Sequence, residues 1–183
     1  MAGGRTGPED AGNAGLHPCR EAGTTDGPPS TTTVTPRIRD TVERYFALLQ
    51  AHASPERVLD DVLTPDFRTG FVGGHVWRGP EGPADFLQAR SELFDESHEI
   101  RQMSEPVAPA DGLWAVRTRL GLALRRRAPA APRSELLTGV AFHAWELRAG
   151  PRWRVAARMV EGFAHLDEGA RTLFGTPGTG LNT

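Results

Sequence analysis

The chain has 183 residues, 38% of them hydrophobic and 24% charged, with a formal net charge of -2. That length fills one hydrophobic core and is short for two, and the near-neutral balance offers no basic footprint for nucleic acid or an anionic membrane. Cys19 is the single cysteine, which excludes an internal disulfide framework and a thiolate metal cluster.

The opening residues, MAGGRTGPEDAGNAG, hold no apolar run after a basic start. No run reaches the roughly 18 to 20 apolar residues that cross a bilayer, so the expected location is cytoplasmic. Residues 1–35 are Gly, Pro, Thr and small polar residues with almost nothing to bury, and they read as a disordered tail. His17 and Cys19 lie in this tail and are too few for a metal site.

Helical periodicity begins at Pro36, with Ile38, Val42, Tyr45, Phe46 and Leu49 on one stripe. Val58, Leu59, Val62 and Leu63 predict a second short helix that stops near Thr64-Pro65. Phe67 to Trp77 reads as a hairpin turning at Gly73-Gly74, and Ala84 to Phe94 as a third helix. A strand begins near Glu99 and is limited by Pro106. Three long strands follow: Leu113 to Leu124, with Trp114, Val116, Thr118, Leu120, Leu122 and Leu124 on one parity, then Leu136 to Leu147 and Trp153 to Phe163. Helices first and long strands last predict an α+β fold with helices on one side of a sheet, spanning residues 36–165, followed by a flexible tail over 166–183. The run RRRAPAAPRS, residues 125–134, is either an anion-binding cluster or a solvated hairpin loop. No phosphate-binding glycine loop, zinc helix or nucleophile elbow is present, and neither a metal nor a cofactor is expected.

Several strings resemble the nuclear transport factor 2-like superfamily, which includes ketosteroid isomerase, the SnoaL-like polyketide cyclases and limonene epoxide hydrolase. TVERYFALLQAHASPERVLDDVLTPDFRTG is similar to its two opening helices and first strand, EGPADFLQARSELF to its third helix, DGLWAVRTRLG to a strand ending in glycine, and GVAFHAWELRAGPRWRVAARMVEG to its closing hairpin. The resemblance implies a curved, mostly antiparallel sheet forming a cone, capped by about three N-terminal helices, with an apolar cavity for a small hydrophobic molecule. Pairing into homodimers through the outer sheet face is also implied, with His143 and Trp145 placed there.

On that reading the inward parity carries Trp114, Val116, Thr118, Val140, Phe142, Ala157, Met159 and Glu161. Tyr45 resembles the oxyanion-hole tyrosine of the isomerase, or else is an amphipathic core residue. The isomerase's two carboxylates are absent, since Thr69, Gly70 and Phe71 stand at one place and Val140 at the other. Glu161 in apolar surroundings would be a general base with a raised pKa, or alternatively would pair with Arg158 or Arg117. His75, beside Trp77, is placed at the pocket mouth for acid/base work or ligand contact. His98 is placed after the third helix as a cap. Two functions follow. One is a small-molecule enzyme of SnoaL-like type, using general acid/base chemistry for cyclisation, isomerisation, dehydration or hydrolysis of a polyketide- or terpenoid-like substrate. The other is a noncatalytic ligand-binding or dimeric scaffold with the same fold.

Overall fold

A computed structural model describes residues 31–108, 111–127 and 134–174. The first helix, α1 (Thr31–Gln50), places Val34, Ile38, Val42, Tyr45 and Leu49 on one buried stripe. It starts earlier than the expected Pro36 because Val34 is itself a core residue, 1% exposed. The part of the expected tail before Thr31 lies outside the described residues. Helix α2 (Pro55–Val62) opens with Pro55 at its first turn and with Ser54 accepting a hydrogen bond from the Arg57 amide at 3.3 Å. Leu63 then turns the chain into β1 (Leu63–Phe71), followed by the short β2 (Val76–Trp77) and by α3 (Gly82–Ala89).

The third helix is shorter than its pattern predicts. Leu93 and Phe94 already belong to β3 (Leu93–Met103), paired with Arg126 and Arg125. His98 therefore sits within a strand and not at a helix end. The long strands β4 (Leu113–Arg126), β5 (Glu135–Arg148) and β6 (Arg154–Leu166) follow, and the chain adds α4 (Glu168–Phe174) where a flexible tail was expected. Ala170 of α4 is fully buried against Leu93, Leu124, Leu137 and Leu166, which explains the extra helix. Of the basic run, Arg125 and Arg126 close β4, while residues 128–133 lie outside the described residues.

The six strands form one sheet in the order β2-β1-β6-β5-β4-β3. All pairs are antiparallel except β1 with β6. Helices α1, α2 and α3 cover one face, so the expected α+β architecture of a sheet capped by N-terminal helices holds. The main core lies between them, built from Tyr45, Phe67, Leu120, Trp145 and Leu147, each about fully buried. Burial of each such side chain contributes roughly 1.5 to 3 kcal/mol before the entropy of ordering it. Trp145 is also fixed by its indole N–H, which donates to Thr118 Oγ1 at 2.9 Å. No helix among the described residues is long and apolar enough to cross a membrane.

Which residues face the helices is set by register. On β4 the inward set is Trp114, Val116, Thr118, Leu120, Leu122 and Leu124, as the alternation predicts. Their partners on β5 are Leu147, Trp145, His143, Ala141, Gly139 and Leu137, so β5 turns its odd-numbered residues inward. Strand β6 pairs with β5 through three register shifts. Its inward residues are Val155, Arg158, Val160, Phe163 and Leu166, opposite Leu147, Trp145, His143, Ala141 and Gly139. Val140, Phe142, Ala157, Met159 and Glu161 fall on the other face, which corrects their expected orientation. His143 and Trp145, expected outside, are both 1% exposed and lie inside.

Candidate active site in the cone

Between α3, α4 and the inner face of the sheet is a cavity of about 470 Å³, within the range of small-molecule sites. Its walls are apolar and largely aromatic: Trp77 from β2, Phe86 from α3, Leu93 and Leu122 from β3 and β4, Phe163 from β6 and Phe174 from α4. Trp77 meets Phe86 edge-on at 5.4 Å between ring centroids, and Phe163 stacks on Phe174 at 5.3 Å. The hairpin carrying Trp77 is held tightly at Gly70, where a Cβ would run into the His75 carbonyl. His75 is exposed, lies edge-on to Trp77 at 4.5 Å and lines the cavity, at the position expected for it.

Polar groups collect where β5 and β6 meet the cavity. Nε of Arg158 donates to Nδ1 of His143 at 3.4 Å, and its Nη2 lies 3.4 Å from Nε2 of the same ring. Both residues line the cavity. Burial, reinforced by the Arg158 charge, pushes the His143 imidazole well below its ordinary value, so it is neutral near pH 7. Burial lowers Arg158 as well, opposed chiefly by the Tyr45 hydroxyl, but a guanidinium keeps its proton. Arg158 makes no ion pair with a carboxylate within 4 Å among the described residues. Tyr45 Oη is buried beside it and favours its charge, yet makes no hydrogen bond of good geometry. Thr69, which pairs with Arg158 across the parallel ladder, also has a buried hydroxyl without a partner among the described residues.

A second polar set lies behind this floor. Arg90, which lines the cavity, donates to the Glu96 carboxylate, whose side chain is 1% exposed. Asp95, at φ 48°, occupies the register shift between Phe94 and Ser97, and Glu96 follows it into the interior. Glu96 Oε2 is 3.7 Å from His98 Nε2, and Gln50 Nε2 is 3.4 Å from His98 Nδ1. The His98 ring stacks on Phe46 at 4.3 Å. Burial, with the Arg90 and Arg158 charges, lowers His98 to about 3, so it too is neutral. Among the described residues no group of three or more His, Cys, Asp and Glu side chains forms a candidate metal site.

The expected site residues separate in space. Tyr45 packs edge-on to Trp145 at 5.4 Å, beneath the cavity and not in its wall. Trp114, Val116 and Thr118 face inward but belong to the main core and do not line the cavity. Val140, Phe142 and Met159 are on the outer face, and Phe142 is 41% exposed. Glu161 is also outside the cavity, with both carboxylate oxygens 3.0 Å from Arg117 Nε. The expected inward general base is thus an outer-face ion-pair partner. His143 and Arg158 line the cavity although the expected parity of β5 and β6 places both on the outer face. A usable signal was present: Leu137, Ala141, Trp145 and Leu147 form a stronger apolar set than Val140 and Phe142, and His143 shares their parity.

No family model matches the sequence, and no curated protein does. Solved structures do match in fold. A protein assigned as a scytalone dehydratase from Novosphingobium aromaticivorans aligns with a TM-score of 0.62 at 13% identity, over 75% of this chain and 89% of that one. A nuclear transport factor 2-like protein with a cystatin-like fold from the same organism gives 0.51 at 17%, over 79% and 91%. A ketosteroid isomerase-like protein from Erwinia carotovora gives 0.53 at 15%, over 71% and 95%. The chain therefore has the nuclear transport factor 2-like fold.

Proposed function

We propose that this chain is a small-molecule enzyme of the SnoaL-like type. It would act by general acid/base chemistry on a hydrophobic, polyketide- or terpenoid-like substrate, through cyclisation, isomerisation, dehydration or hydrolysis. The observation that carries the reading is the neutral His143 held against the Arg158 cation at the inner end of an apolar cavity. Neutral imidazole has one N–H and one lone pair, so when Arg158 donates to one ring nitrogen the other presents a proton. Arg158, held in place by the His143 ring, polarises a carbonyl oxygen and stabilises the enolate left when the adjacent carbon loses its proton. His75, on the hairpin wall, is the candidate acceptor of that proton. Return of the proton to another carbon completes an isomerisation, and loss of a β-hydroxyl as water completes a dehydration. Tyr45 packs beneath the cavity against Trp145, and Glu161 takes no part.

Similarity of fold to the scytalone dehydratase and ketosteroid isomerase-like structures supports this reading by analogy. We further propose that two copies pair through the outer sheet face around Phe142. The enzymatic test is solvent deuterium exchange at the α-carbons of hydrophobic cyclic ketones such as 2-tetralone, followed by proton NMR. Catalysed exchange is expected in the parent protein, falling about 100-fold or more in Arg158→Met and in His143→Ala. Ketones that bind without catalysed exchange would favour the noncatalytic binding protein instead.

A further inference from the structure

We propose that the natural ligand carries a single carboxylate which seats on Arg158, with a flat ring system filling the aromatic part of the cavity. This rests on the cavity being the substrate site, and adds the chemical class of what enters it: with Nε given to His143, the Nη donors of Arg158 remain for a carboxylate and for the reacting carbonyl oxygen beside it.

Charge compensation around the cavity carries the argument. Three arginines line it: Arg90, Arg126 and Arg158. Arg90 is paired with the buried Glu96, and Arg126 donates to Glu135 at 3.0 Å. Arg158 has no such pair: the Glu96 carboxylate acts on it only from beyond ion-pair distance and is already bonded to Arg90, which leaves two cations sharing one anion. Its hydrogen-bond partner among the described residues is an uncharged imidazole, and the nearby Tyr45 hydroxyl is not in bonding geometry. Glu92, the one carboxylate in the cavity lining, is exposed to solvent and forms no ion pair within 4 Å among the described residues.

A cation held among apolar walls without a counter-ion is costly, and a carboxylate delivered by the ligand offsets that cost. The planar guanidinium matches a carboxylate in shape. One uncompensated charge specifies a monoanion and disfavours a phosphate dianion. The aromatic faces of Trp77, Phe86, Phe163 and Phe174 define the other end of the molecule, for which ring systems are the best fit. The ligand is thus a cyclic, amphipathic carboxylic acid oriented with its acid inward.

The probes are 2-naphthoate, the isosteric neutral 2-naphthamide and 2-naphthyl phosphate, titrated calorimetrically into the full chain at pH 7.5. Naphthoate is expected to bind at least tenfold more tightly than either of the others. Arg158→Gln should abolish the preference for naphthoate over naphthamide while leaving naphthamide affinity within about threefold, and Arg126→Gln should keep it. Equal binding of naphthoate and naphthamide by the parent protein overturns the inference, as does a preference that survives Arg158→Gln or tighter binding of the phosphate. If Arg158→Gln does not fold, Arg158→Lys tests the same point by keeping a weakened preference, since the charge stays while the planar fork is lost, and its complete loss there counts against the inference. Failure of all three probes to bind overturns both this inference and the reading of the cavity. A parent protein that shows no carboxylate preference but catalyses deuterium exchange would overturn this inference alone.

Discussion

Neither His98 nor His143 gains a proton easily while the fold is intact, because each imidazole is shut from water and faces an arginine charge. The unfolded chain takes up those protons below about pH 6.5. Acid therefore favours unfolding. The stabilising contribution is fully present above pH 6.5 and is lost as pH falls, for His98 by about 1.4 kcal/mol per unit down toward about 3, with His143 acting in the same direction. Between pH 6.5 and 5 this amounts to roughly 2 kcal/mol for His98, a large share of ordinary domain stability. Urea unfolding at a series of pH values should show the decline, and His98→Gln should make it shallower by about 1.4 kcal/mol per unit below pH 6.5. A profile that His98→Gln leaves just as steep would mean that carboxylates set the acid sensitivity. His98 could be read from the sequence as a residue of interest, but its neighbours could not, since Glu96 and Arg90 meet it only through a strand irregularity and a helix end.

Irregular strands decide which side chains reach the cavity. On β4 the alternation is regular, and its inward residues were legible from the sequence alone. On β6 the inward positions are spaced by three, two, three and three residues, from Val155 through Arg158, Val160 and Phe163 to Leu166. A period-two reading carries Met159 and Glu161 inward and leaves Arg158 outside, which is how the expected general base came to lie on the wrong face. The assumption that inward means apolar hid His143 in the same way. The bulge in β3 offers a direct test. Asp95 has left-handed backbone geometry that a β-branched residue tolerates poorly. Asp95→Val should cost about 1 to 2 kcal/mol in thermal or urea unfolding, whereas Asp95→Gly should be neutral or slightly stabilising. Equal effects of the two would show that the backbone at Asp95 is not the constraint.

At the scale of the molecule, helix-then-strand order was enough to recover the architecture, because each helix stripe needs one sheet face to cover it. Position 142 bears on the pairing of two copies: Phe142 is 41% exposed on the outer face, near the Arg117–Glu161 pair. Sedimentation equilibrium should show a dimer that Phe142→Asp shifts to monomer, with the unfolding midpoint unchanged at equal monomer occupancy. A parent protein that is monomeric at high micromolar concentration would remove that proposal. The parallel pairing of β1 with β6 has a consequence for synthesis. β1 joins the earliest part of the described chain to the last long strand, and it carries the β2 hairpin with His75 and Trp77. On the ribosome, β1 must wait for β6 for several seconds or longer at ordinary elongation rates. A nascent chain arrested before residue 154 would expose an unpaired β1 edge and half a cavity wall, a surface open to wrong pairing until β6 is made.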